Sequence, residues 1–234
     1  NSDGSITSSV SANPTGGFSI ITYTGTGSNA TIGHGLGKAP KLIWVKNRTT
    51  PQDWFVNNGM IFNDYGKYYK LNSSGSSNVS DTNVFPNTAP TSTVFSFGID
   101  NAVNGNGDNY VAYIWSEIPG FSQFGYWTGN GSSDGTYVHT GFTPRMMIYR
   151  KASDENWHML DTQRDPLNPN SLGIDPNLNN AETSDSNIQI DFLGNGFKMR
   201  ASHGTSNADG VNYFYYVWAG QPSTTPFDTF PNAR

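Results

Sequence analysis

The chain has no cysteine among its 234 residues. That excludes a disulfide framework, a thiolate nucleophile and any cysteine-ligated zinc or iron–sulfur site, and it leaves the redox compartment undetermined. Charge is scarce as well: 13% of residues are Asp, Glu, Lys or Arg, against roughly a quarter in an average soluble domain. The formal net charge of -5 supplies no basic footprint for a phosphate backbone, so nucleic acid is not an expected partner. No apolar run approaches the roughly 20 residues that cross a bilayer, so membrane insertion is not expected either. Sustained 3.6-residue periodicity is missing, which excludes a helical fold. So are G-x-S-x-G, the P-loop and a dinucleotide fingerprint. The four histidines, His34, His139, His158 and His203, show no metal-binding spacing. The sequence therefore calls for no metal and no cofactor, and nothing in it announces an enzyme.

Polarity is carried instead by Asn, Ser and Thr, beside 26 glycines and an aromatic content of 14%. Asn, Ser and Gly supply the backbone angles and local hydrogen bonds that tight turns need, so this is the composition of turn-rich β structure. It also suits an extracellular or particle-surface protein. The opening "NSDGSITSSVSANP" has neither the basic nor the apolar region of a signal peptide and is expected to be the start of a fragment of a longer chain.

One phrase occurs twice, "YTGTGS" at 23–28 and "YWTGNGS" at 126–132. Thr24, Gly25, Gly27 and Ser28 meet Thr128, Gly129, Gly131 and Ser132 at a shift of 104 residues. The shift persists, because Gly37 meets Gly141, Pro40 meets Pro144 and Lys46 meets Arg150, while Asp53-Trp54 meets Asn156-Trp157 and Trp115 meets Trp218 at 103. So steady an offset across separated landmarks predicts an internal repeat. The expected organisation is a linker over 1–17, copies over 18–120 and 121–222, and a C-terminal tail over 223–234. Each copy shows alternating or short apolar runs, such as "GFSIITYTG", "KLIWVKNR" and "TVFSFGID" in the first, separated by Gly and Asn clusters. The segments "NYVAYIWSE" and "NYFYYVWAG" are apolar on both faces and read as central strands covered on both sides. The fold expectation is all-β, two tandem copies of an antiparallel β-sandwich or jelly-roll-like unit with little helix.

Four residues are the candidate ligand contacts: Asp53, Trp54, Asn156 and Trp157. Each Trp lies in polar surroundings, and an indole face flanked by Asp or Asn is a saccharide platform; packing between sheets is the plainer alternative. Trp115 and Trp218, inside the apolar strands, are expected in the core. The run Asn104-Gly-Asn106-Gly-Asp108 alternates oxygen ligands as a calcium loop does, but its twelfth position is Trp115 and not Glu, so a glycine-rich hairpin is expected. Asp161, Asp165 and Glu155 near His158 could serve acid–base catalysis, yet the first copy lacks these acids and solvated loop charge is the expectation. The five N-x-S/T sequons are what chance gives in such a composition.

The stretch "GFSIITYTGTGSNATIGHGLGKAPKLIWVKNR" at 17–48, continued by "NYVAYIWSEIPGFSQFGYWTGNGSSDGTYVHTGFTPRMMIYRKAS" at 109–153, "NWHMLDTQRDPLNPN" at 156–170 and "IQIDFLGNGFKMRAS" at 188–202, resembles a repeated module of tail-fibre and tail-spike-like proteins of tailed bacteriophages, marine and cyanobacterial ones above all. The resemblance covers nearly the whole chain. It implies a β-sandwich carried in series on a virion surface, with other virion proteins or fibre subunits as partners, a host-surface glycan as ligand and a homotrimer as assembly, although the chain has no heptad stretch to specify three strands. It carries over no catalytic or ligand residue. A purely architectural capsid or tail decoration is the second expectation, and a polysaccharide depolymerase built on Asp161, Asp165 and Glu155 the third.

Overall fold

A computed structural model describes residues 1–75 and 79–220; the expected tail over 223–234 lies outside them. The protein is all-β with antiparallel ladders throughout its named strands, as the alternating runs require. Among the described residues, helix is limited to one turn at Gly59–Phe62 and a 3₁₀ turn at Ser186–Ile188, and no helix is long and apolar enough to cross a membrane.

The chain divides into two compact units between Glu117 and Ile118, the second also taking in Ser73–Gly75. In unit 1 the strands are β1 (Ser9–Asn13), β2 (Phe18–Thr24), β3 (Ala30–Gly33), β4 (Leu42–Asn47), β5 (Trp54–Asn57), β6 (Lys67–Lys70), β7 (Val79–Ser80), β8 (Val94–Phe97) and β9 (Asn109–Trp115). One sheet runs β1-β2-β9-β4-β5-β6-β7, and β3 pairs with β8 in a second. The core lies on the face where Ile21, Tyr23, Ile43, Val45, Tyr110, Ala112 and Ile114 meet Ile32, Phe95 and Phe97. Period-two alternation sends these side chains to one side, and each large one contributes about 2 kcal/mol by leaving water. Two expectations are corrected here. Residues 1–17 are no linker, because β1 pairs along its whole length with β2 and Ile6 bridges to Ile32. And β9, though central, is covered on one side only: Val111, Tyr113 and Trp115 are half-buried.

Unit 2 contains β10 (Ser122–Thr128), β11 (Tyr137–His139), β12 (Met146–Lys151), β13 (Trp157–Asp161), β14 (Leu172–Gly173), β15 (Thr183–Ser184), β16 (Ile190–Leu193), β17 (Gly196–Met199) and β18 (Asn212–Trp218). Its sheets run β10-β18-β12-β13 and β11-β17-β16, with β14 paired to β15. Here the expectation of a doubly covered central strand holds, since Tyr213 to Val217 are all buried. The proline-rich stretch 165–180 is a loop tied down by short pairings, through β14 and the Asn170↔Ile190 bridge. The order β10-β18-β12-β13 reproduces β2-β9-β4-β5, and Thr24↔Asn109 in one register corresponds to Thr128↔Asn212 in the other.

The twice-written phrase has a structural job. In unit 1 the fully buried Asn104 donates from Nδ2 to the carbonyls of Ser28 and Gly98 and accepts the Thr26 N–H on Oδ1, at 2.6, 2.8 and 2.9 Å. In unit 2 the fully buried Asn207 donates to the Ser132 carbonyl and Asn130 Oδ1 and accepts the Asn130 N–H. Each therefore clamps a loop that has no ladder of its own to satisfy its backbone. The glycines follow from the clamp. A Cβ at Gly25 would stand 2.2 Å from the Gly105 carbonyl oxygen, and one at Gly129 2.2 Å from that of Ala208; Gly27 and Gly131 take φ of 68° and 65°, which costs an L side chain 1 kcal/mol or so. The Tyr110 hydroxyl accepts from Gly105 and donates to the Asn101 carbonyl, as the Tyr213 hydroxyl accepts from Ala208 and donates to that of Gly204. Burial pushes the Tyr110 phenol up to about 12. The segment 104–109, expected as a glycine-rich hairpin, is this turn, and it leads from β8 in one sheet to β9 in the other without pairing them.

Candidate functional site

The four expected ligand contacts fall into two equivalent clasps. The Trp54 N–H donates to Asn72 Oδ1, whose Nδ2 donates to Asp53 Oδ1 at 2.8 Å. The Trp157 N–H donates to Asn177 Oδ1, whose Nδ2 donates to Asn156 Oδ1 at 2.8 Å. Asn72 and Asn177 lie 18 and 20 residues downstream and had no signal in the sequence. Asp53 also pairs with Lys70 at 2.8 Å; that contact, with burial opposing it, holds the Asp53 carboxyl below its ordinary range. The polar capacity of Asp53 and Asn156 is thus spent largely on holding the start of β5 and β13.

The two indoles differ. Trp157 is 0% exposed, with Phe214 edge-on at 5.3 Å, Tyr216 at 6.1 Å and the Arg150 guanidinium 5.5 Å from its ring centre. An indole sealed in this way offers no stacking face, which corrects its assignment as a ligand platform. Trp54 is half-buried, stacked on Tyr113 at 5.9 Å. Tyr113 in turn stacks on Phe18 at 6.3 Å, so Trp54 ends a row of aromatics on the outer face of its sheet. Trp115 and Trp218 are half-buried and not core residues.

The carboxylates near His158 serve their loop. Asp161 accepts from the Arg164 Nε at 2.5 Å and from the N–H groups of Gln163 and Arg164; burial alone would raise its carboxyl, and these contacts bring it below the usual value. Asp165 accepts the N–H groups of Ser171 and Leu172, Glu155 that of Asn156, and His158 meets Asp175 at 2.8 Å. These contacts are those of structural loop charge. No cluster of three metal-ligating side chains occurs among the described residues.

A recess of unit 2 lies elsewhere, on the outer face of β11-β17-β16. It is an open cleft of about 650 Å³ lined by Ser133, Asp134, Asn168, Gln189, Asp191 and Arg200, with Pro169. Alternation builds it: Ile190, Phe192, Phe197 and Met199 turn inward to the core, which leaves Asp191 and Lys198, a register pair, and Arg200 on the other side. The Arg200 guanidinium stands 3.3 Å from Asp191 and 3.7 Å from Asp134, and Lys198 is 2.5 Å from Asp134. Lys198, and behind it Arg200, hold the Asp134 carboxyl below its ordinary range, although that side chain is 81% exposed. Asn168 is pinned by a double bond set, its Nδ2 to the Phe192 carbonyl and its Oδ1 from the Phe192 N–H, both 2.9 Å. Tyr137, opposite Lys198 in the ladder and 43% exposed, ties its hydroxyl to Asn195. Exposed acceptors and donors fixed by one another beside an open phenol can take sugar hydroxyls and a pyranose face. Sequence reasoning missed this set, and the available signal was the alternation of Gln189, Asp191, Lys198 and Arg200 around the "LGNGF" turn.

No curated protein and no solved structure matches the chain. A family model described as "Domain of unknown function (DUF7483)" matches residues 1–222, nearly the full length, and the chain belongs to that family.

Proposed function

We propose that the protein is a non-enzymatic surface module of a virion, of the tail-fibre kind, that recognises a host-surface glycan. The observation that supports this best is the cleft of unit 2, where Asp134, Asp191 and Arg200 present charge-assisted acceptors and donors at an open surface, with Tyr137 exposed beside them. Saccharide hydroxyls need such groups in fixed positions, because each bond to a charged group contributes more than a neutral one. The resemblance to phage fibre modules supplies the particle and the partners, other virion proteins or fibre subunits. A purely architectural role is the second reading, favoured by the burial of Trp157 and by the use of the repeated phrase as a backbone clamp.

The test is adsorption of the purified chain to bacterial cells and to a glycan panel, with Asp191→Asn and Arg200→Ala alongside. Saturable binding that either variant weakens about tenfold or more supports recognition through this cleft. A folded protein that binds no cell and no glycan, and does not compete with phage adsorption, moves the assignment to architecture.

A further inference from the structure

We infer that unit 1 carries a second saccharide subsite, selective for an uncharged sugar; this rests on the recognition function just proposed. An open cleft of about 560 Å³ lies in unit 1, its walls formed by Ser28, Asn29, Thr82, Asn83, Pro86 and Ile99. Its volume is in the range of small-ligand sites. One of its rims follows the clamped Gly27, as Ser133 and Asp134 of the charged cleft follow the clamped Gly131.

The walls are fixed by the fold. Asn104 holds the Ser28 carbonyl at 2.6 Å, and its own carbonyl accepts the Gly27 N–H at 2.8 Å. On the far side the Asn83 N–H is capped by Asp81, and the Asn83 carbonyl accepts the Asp100 N–H at 2.8 Å. With both rims anchored through the backbone, the side chains of Asn29, Thr82 and Asn83 are exposed and make no hydrogen bond with the rest of the described chain. Two primary amides and a hydroxyl so placed can each donate and accept, as neighbouring sugar hydroxyls demand. Ile99, 49% exposed, and Pro86 give the apolar surface on which the C–H face of a pyranose rests. No ionisable side chain lines this cleft, whereas the other has three. A charged saccharide would gain nothing here for the desolvation of its charge, so the uncharged class is selected.

The experiment is calorimetric titration of the whole chain with neutral probes (maltotriose and diacetylchitobiose) and charged ones (trigalacturonic acid and chitosan dimer), at low and high salt. Backbone resonances are followed in parallel on the wild-type protein. The expected result is that a neutral probe shifts the amides of Asn29, Asn83 and Ile99 with an affinity unchanged by salt, and that Asn29→Ala/Asn83→Ala weakens it about tenfold or more. Neutral-probe binding that ignores Asn29→Ala/Asn83→Ala, or shifts no resonance in this cleft, overturns the second subsite. If Arg200→Ala at the same time abolishes binding, the unit 2 cleft stands and only the inference falls. If no neutral probe binds, the second subsite falls, while the recognition function is decided separately by adsorption of the chain to cells.

Discussion

Trp54 and Trp157 open equivalent strands, carry equivalent Asn clasps and sit in equally polar sequence, yet one indole is half-buried and the other sealed. The difference extends over the whole face of each sheet. The outer face of the first sheet carries Ile20, Lys46, Val111 and Tyr113, all partly exposed; the corresponding positions of the second are Phe124, Arg150, Phe214 and Tyr216, all buried. The exposure of each Trp thus follows that of the whole sheet face it shares and not the residues beside it in sequence, and equivalent positions in two similar units are free to take opposite roles.

The largest expected effect would test that contrast directly. Trp157→Ala should destabilise by about 4 kcal/mol, the cost of truncating a fully buried aromatic, and Trp54→Ala by about 1–2 kcal/mol for its half-burial; denaturant midpoints measure both, and equal losses would break the comparison. The clamps should show the opposite pattern. Asn104→Ala and Asn207→Ala each leave three groups without their partner, in bonds that are partly or fully buried, so each should cost about 2 kcal/mol and speed exchange at the Gly27 or Gly131 amide by similar factors. A clamp that mattered in only one unit would undo their equivalence.

The smallest effect concerns acid. The folded Asp53 carboxyl titrates below its ordinary value because of Lys70. Its contribution is therefore complete above the ordinary carboxylate range and is lost as pH falls through the lowered folded value. Exposure keeps it to a few tenths of a kcal/mol. Asp53→Asn should flatten the acid limb of the stability profile by that amount, while unit 2, with Asn156 at the equivalent position, has no such term; a profile unchanged by Asp53→Asn would mean that Lys70 does not favour the ionised form.

The repeat offset, the strand runs and the doubly buried β18 could be read from spacing because alternation is a local property. The same logic took β9 to be doubly covered, since "NYVAYIWSE" and "NYFYYVWAG" differ little as strings; what differs is the company each outer face keeps, which is non-local. Asn104 was recognised as part of a turn but not as a clamp, because its partners Thr26 and Ser28 lie 78 and 76 residues away. The unit 2 cleft draws Asp134 and Arg200 from segments far apart in the chain for the same reason.

The Asn104 and Asn207 clamps also separate what must stay constant from what can vary. Each ends at the residue where a cleft begins, so the side chains just beyond, Asn29 in one unit and Ser133 and Asp134 in the other, project from a backbone whose shape they do not determine. Diversity placed there would change the ligand without repaying any folding cost. A library randomised at these rim positions, with both asparagines and their glycines held, would keep one scaffold while varying the chemistry of both clefts.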